Sequence, residues 1–129
     1  MRETELASKV IKELRTYPKT FVINIAGSQY QQAGLPDCLI ISNGVFCFVE
    51  FKNPETAVEP LQLRMMDLMR NAGATCCLVR FYGKGEWIIN NELCVRFTKF
   101  DQGVKALYIT LMKIAKGENV IPSSQTPNN

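Results

Sequence analysis

Asp37-Cys38-Leu39-Ile40-Ile41-Ser42-Asn43-Gly44-Val45-Phe46-Cys47-Phe48-Val49-Glu50-Phe51-Lys52 holds two apolar runs on either side of Asn43-Gly44. That dipeptide between such runs signals a two-residue hairpin, because a type I′ turn needs positive φ at both central positions. Pairing Ser42 with Val45 then fixes the register, and in that register Asp37 stands opposite Glu50. Cross-strand neighbours of this kind have Cβ atoms roughly 4.5–5.5 Å apart. Lys52, two residues beyond Glu50, projects from the same face. Phe46 and Phe48 share the Glu50 face, and Val45, Cys47, Val49 and Phe51 make the other. Strands apolar on both faces are expected to be central and covered on both sides.

Working outward, Leu6, Val10, Ile11 and Leu14 recur at helical spacing between Glu3 and Arg15, and Tyr17-Pro18 ends that helix. Phe21 to Ile25 reads as a strand and residues 27–36 as a polar loop. After Asn53-Pro54, Pro60 stands where a helix begins, with Leu61, Met65, Leu68, Met69 and Ala72 as its expected buried face and Gly73 as its stop. Thr75–Phe81 is a further strand, Tyr82–Gly85 a turn and Glu86–Ile89 a short strand. Asp101 is expected to cap a last helix whose inward residues are Val104, Leu107, Tyr108, Leu111, Ile114 and Ala115. The order α-β-β-β-α-β with a trailing helix predicts an α/β fold, a mixed central β-sheet flanked by helices. One domain is expected over residues 1–116. The Pro-, Ser- and Asn-rich residues 117–129 read as a disordered tail.

The chain of 129 residues is 47% hydrophobic and 21% charged, with a net charge of +3, as in an ordinary globular domain. No apolar run is long enough for a bilayer and no signal peptide opens the chain, so a cytoplasmic location is expected. Five cysteines without Cys-x-x-Cys spacing suit reduced core thiols. Residues 1–20 and 64–116 are richer in basic than in acidic side chains, while Glu50, Glu55 and Glu59 outnumber Lys52 between them. A basic frame around an acidic centre suits a polyanion held against a metal site, and also suits a solvated surface of mixed charge. There is no histidine at all. That excludes Ser-His-Asp and Cys-His hydrolases and nucleases with a histidine base, and leaves carboxylates, lysine and hydroxyls for any chemistry.

Two carboxylates facing each other at the end of an apolar hairpin repel and are costly to desolvate. A divalent cation removes that cost, and Mg²⁺ or Mn²⁺ suits hard oxygen donors. Metal-bound water ionises near neutral pH, and Lys52 could hold the resulting nucleophile or offset charge at phosphorus. Taken singly, Gly34-Leu35-Pro36-Asp37 is also an ordinary turn, Glu50-Phe51-Lys52 an edge salt bridge, and Gln62 a polar residue in a helix's first turn. Order, spacing and convergence on one face set the combination apart. Trp87, Tyr82 and Arg80 could touch nucleic acid, although an aromatic near a strand end is ordinarily core.

At these residues the chain resembles the VRR-NUC branch of the PD-(D/E)XK nucleases. The resemblance rests on Gly34-Leu35-Pro36-Asp37, Val49-Glu50-Phe51-Lys52-Asn53-Pro54 and Pro60-Leu61-Gln62, and runs from about Glu3 to Phe81. The opening Met1–Leu6 is similar to the first helix of small stand-alone viral and prophage members. The resemblance implies a restriction-endonuclease-like core and a Mg²⁺- or Mn²⁺-dependent DNA endonuclease, with metal bound by Asp37, Glu50 and the Phe51 carbonyl. It makes Lys52 the catalytic lysine and Gln62 a supporting residue, and it adds a first-helix acid, placed at Glu3 with Glu5 as the alternative. It further implies branched, Holliday-junction-like DNA as substrate, a homodimer, and a phage or bacterial setting. Two departures weaken the phosphate grip: Gln29, Tyr30, Gln31 and Gln32 stand where relatives often carry Lys or Arg, and Glu55 and Glu59 where the loop is commonly basic. A general or restriction-type nuclease, and a non-catalytic nucleic-acid-binding module on the same fold, are the competing expectations.

Overall fold

A computed structural model describes residues 2–26 and 32–120. The elements run α1 (Glu3–Leu14), β1 (Thr20–Asn24), β2 (Cys38–Ser42), β3 (Val45–Lys52), α2 (Pro60–Asn71), β4 (Cys76–Tyr82), β5 (Glu86–Ile89), β6 (Leu93–Arg96) and α3 (Phe100–Ala115). The six strands form one sheet in sequence order, antiparallel throughout except for β3 and β4, which are parallel. α2 makes the crossover that this parallel pair requires. The expected α/β class, a mixed sheet with flanking helices, is what the chain adopts. Among the described residues no helix is long and apolar enough to cross a membrane.

The hairpin turn has φ 51° at Asn43 and 80° at Gly44, and Ser42 pairs with Val45 and Cys38 with Val49. Asp37 lies one residue before β2, just beyond the last paired residue of the hairpin. On one face of the sheet, Val22, Cys38, Ile40, Cys47, Val49, Phe51, Cys77 and Val79 pack against Leu6, Val10, Ile11 and Leu14 of α1 and Val104, Leu107 and Leu111 of α3. Trp87 belongs to this core, fully buried, with its indole N–H donating to the Gly103 carbonyl at 2.8 Å. The five cysteines are free thiols, as expected.

Several expectations are corrected. β6 continues the sheet beyond the strands read from the sequence. α3 begins at Phe100 after Lys99, so Asp101 lies inside the first turn and is not its cap. The second face of the sheet is covered only in part: Met66 of α2 packs with Cys76 and Leu78 against Phe48, whereas Phe46 remains exposed. The expected buried face of α2 is met only in part. Met66 is its one buried residue and Met69 of the expected face packs beside it, whereas Leu61 and Leu68 are exposed. The stop at Gly73 holds, with φ 100°. Residues 27–31 of the polar loop and 121–129 of the tail lie outside the described residues.

Gly103 yields a test of the packing. A Cβ there would stand 2.4 Å from Phe97 Cδ2. Alanine normally stabilises a helix interior relative to glycine by up to ~1 kcal/mol, but overpacking costs about 1–3 kcal/mol. Gly103→Ala is therefore predicted to lower stability in urea denaturation. A gain would contradict the close α3–Phe97 contact.

Candidate active site

The hairpin delivers its charges to the end of the sheet where β2 begins and β3 ends. There they meet the first turns of α1 and α2 in a cleft of about 340 Å³, lined by residues that include Glu3, Asp37, Glu50, Phe51, Lys52 and Gln62. Asp37 is fixed by its neighbours: its Oδ2 accepts the Phe51 N–H at 2.8 Å, and its carbonyl accepts the N–H groups of Ile25 and Ala26. Glu50 is almost completely buried, at 3% exposure, and Lys52 at 6%. Lys52 Nζ lies 3.7 Å from Glu50 Oε2.

Gln62 explains how Glu50 is aimed. Its Oε1 accepts the Glu59 N–H at 3.2 Å in a capping box at the start of α2, which orients the amide. Its Nε2 then donates to Glu50 Oε2 at 2.9 Å. That oxygen therefore has both Gln62 and Lys52. Glu50 Oε1 is buried and finds no hydrogen-bond donor among the described residues.

The two first-helix acids separate cleanly. Glu3 Oε2 accepts the Asn53 N–H at 2.9 Å, tying α1 to the end of β3. Glu5 pairs instead with Arg2 at 3.0 Å on the exposed side of the helix. Arg80, a candidate nucleic-acid contact from sequence, is already committed. Its Nη1 donates to the Asn53 and Thr56 carbonyls at 2.7 and 2.6 Å, holding the segment between Lys52 and α2. No local pattern marks that role, because it follows from the parallel register that sets Arg80 beside Lys52.

The electrostatics follow from burial. Desolvation raises the Glu50 carboxyl to about 7, with the Asp37 carboxylate adding to the rise and Lys52, Gln62 and the Asp37 backbone N–H opposing it. Burial also raises Asp37, against the Phe51 N–H and Lys52. An ionised Glu50 thus lacks compensation in the protein alone. Among the described residues no three Asp, Glu, Cys or His side chains form a ready metal cluster. Two carboxylates, one of them with an unpaired buried oxygen, and a backbone carbonyl do fit a divalent cation such as Mg²⁺, which commonly takes one or two protein carboxylates and completes its shell with water and substrate phosphate.

A solved structure described as a VRR_NUC domain is 30% identical, with a TM-score of 0.50, over 62% of this chain and 85% of that one. Another is Hjc, a Holliday junction resolvase from the archaeal hyperthermophile Archaeoglobus fulgidus, 16% identical with a TM-score of 0.44, over 67% of this chain and 70% of that one. No family model and no curated protein matched the sequence.

The buried Glu50 has a measurable consequence without metal. Below its ordinary value of 4.5 both folded and unfolded states hold the proton. Between there and about 7 the unfolded chain releases it while the folded one keeps it, so stability falls as pH rises and the loss is complete above about 7. In EDTA, Glu50→Gln is predicted to gain on the wild type between pH 5 and pH 8 by on the order of 2–3 kcal/mol in urea denaturation. Parallel pH profiles would contradict the burial of this carboxylate.

Proposed function

The chain belongs to the VRR-NUC family, and from that premise we propose that it is a Mg²⁺- or Mn²⁺-dependent endonuclease hydrolysing phosphodiesters in DNA. The observation that carries this is the Asp37–Glu50–Lys52 convergence, with Glu50 held by Gln62 and left with one unpaired buried oxygen. Asp37, Glu50 and the Phe51 carbonyl would hold the ion, which supplies Lewis acidity and a water that ionises near neutral pH. Lys52 places a positive charge beside Glu50, where it can orient the attacking water or offset charge developing on the phosphate. Gln62 keeps Glu50 pointed, and Glu3 and Arg80 keep the end of β3 in place from either side.

For the substrate we take structured DNA, in particular branched, Holliday-junction-like DNA cut by a homodimer. A two-fold dimer matches a symmetric junction. The nuclease domain takes residues 1–116 in this proposal, working in the cytoplasm of a bacterium or phage-infected cell.

The test is cleavage of a labelled four-way junction and matched linear duplex in Mg²⁺, Mn²⁺ or EDTA. Metal-dependent cutting that favours the junction is expected, with Lys52→Ala slower by roughly 10²–10³-fold and Glu50→Ala inactive, both still binding DNA. A folded wild-type protein that binds DNA and cuts neither substrate would leave a binding module and sink the catalytic assignment.

A further inference from the structure

The Asn43-Gly44 turn stands at the end of the sheet away from the cleft. The eight residues of β3 put roughly 25 Å between them at ~3.3 Å per residue. Beside the turn, the second half of α3 closes another cavity, of about 170 Å³, lined by residues that include Ser42, Asn43, Tyr108, Lys113 and Lys116. A chain of hydroxyls leads into it from the sheet. Ser42, only 1% exposed, has its Oγ 2.6 Å from Tyr108 Oη and 2.8 Å from Thr20 Oγ1, and accepts from Asn43 Nδ2 at 3.3 Å. Thr20 in turn reaches the Pro18 carbonyl at 3.0 Å. Hydroxyl protons rotate to suit their partners. With Thr20 donating to Ser42 and Ser42 to Tyr108, the Pro18 bond is given up and the Tyr108 O–H is released to the cavity.

The charge of the cavity is positive. Neither Lys113 nor Lys116 forms an ion pair among the described residues, and no acidic side chain of those residues lines the cavity. Glu118, close by in sequence, lines a different cavity beside β5 and β6. Lysines at a helix C-terminus ordinarily offset the helix dipole. Here backbone N–H groups of Lys116, Gly117 and Glu118 already bond the Met112, Ile114 and Lys113 carbonyls. The dipole itself is worth about half a negative charge, which two ammonium groups outweigh. Lys105 adds to them, with its Nζ 5.4 Å from the centroid of the Tyr108 ring. Tyr108 registers this field: burial raises its phenol, but hydrogen bonds with Ser42, Thr20 and Asn43 and the charge of Lys105 bring it below its ordinary value.

We propose that this cavity is a phosphate site separate from the catalytic cleft, in which Lys113 and Lys116 hold the anion and the Tyr108 hydroxyl donates to it. A water takes ~30 Å³ in the liquid, so the cavity has room for a tetrahedral oxyanion and part of its hydration. Two ammonium groups and a hydroxyl, brought in from a helix and a strand end, suit an anion with several oxygens. A free phosphate ion and a phosphate on a nucleic-acid backbone present the same chemistry here. The site owes nothing to the metal chemistry proposed above.

The test is an NMR titration of the metal-free, ¹⁵N-labelled protein with sodium phosphate, with sodium chloride holding the ionic strength constant. The amides of Ser42, Asn43 and residues 108–116 are expected to shift together and saturably, with half-saturation near about 1 mM. The double variant Lys113→Gln/Lys116→Gln is expected to bind at least about tenfold more weakly. Tyr108→Phe, which keeps the ring, is expected to weaken binding by a smaller factor. Shifts reproduced by chloride alone, or unchanged affinity in the double variant, would overturn the site. Acetylation of lysines, read by mass spectrometry on wild type, distinguishes the sources. Protection of Lys113 and Lys116 relative to Lys9 and Lys99 by a short DNA duplex marks a backbone phosphate, and protection by inorganic phosphate alone marks a free ion. Protection by neither also overturns the site. A protein that cuts DNA without these shifts loses the pocket and keeps the nuclease, and a saturable pocket in a protein that cuts nothing does the reverse.

Discussion

The pairing of β2 with β3 is the constraint on which the site depends. Ser42 opposite Val45 leaves Asp37 and Glu50 on one face at the same end of the sheet. A slip of one residue would turn Glu50 and Lys52 onto the face packed by α1 and α3 and bring Phe51 out of the core. The Asn43-Gly44 turn opposes that slip, because both residues hold the positive φ of the tight turn. The covered face opposes it as well: Cys47, Val49 and Phe51 are all buried there.

From this register follow both the energetic tension of the site and its relief. Glu50 is held among groups that satisfy one oxygen and leave the other alone. Unsatisfied buried charge is costly, so the fold persists with this side chain either protonated or compensated from outside. Lys52 alone does not compensate it, since the Glu50 carboxyl remains raised to about 7 despite that neighbour. Contacts from three elements, Glu3 on α1, Gln62 on α2 and Arg80 on β4, limit how far the end of β3 can relax. Preorganisation of this kind is what electrostatic catalysis requires.

Local chemistry was legible in the sequence, and long-range packing was not. Asn43-Gly44, Pro60 and Gly73 announce a hairpin, a helix start and a helix stop through backbone geometry alone, and each stands where it was expected. Alternation then carried Glu50 and Lys52 to one face. Periodicity found the apolar stripe of α2 but could not tell what covers it, because it records a pattern and not a partner. Lys99, not Asp101, precedes α3, since the helix starts where Phe100 packs against Trp87 and Phe81. Glu3 and Glu5 are indistinguishable by type, and only the reach of Glu3 to Asn53 separates them. The bracing role of Arg80 was hidden for a similar reason, as its carbonyl partners lie 24 or more residues away.

The most direct measurement is a calorimetric titration of Mn²⁺ into the DNA-free protein, compared with Asp37→Asn and Glu50→Gln. If the facing carboxylates form a cation site, wild type binds Mn²⁺ with proton release at pH 6.5, as Glu50 gives up its raised proton. Both variants then lose most of the affinity. Binding of equal strength and proton count in all three proteins would place the metal elsewhere and contradict a site built on Asp37 and Glu50.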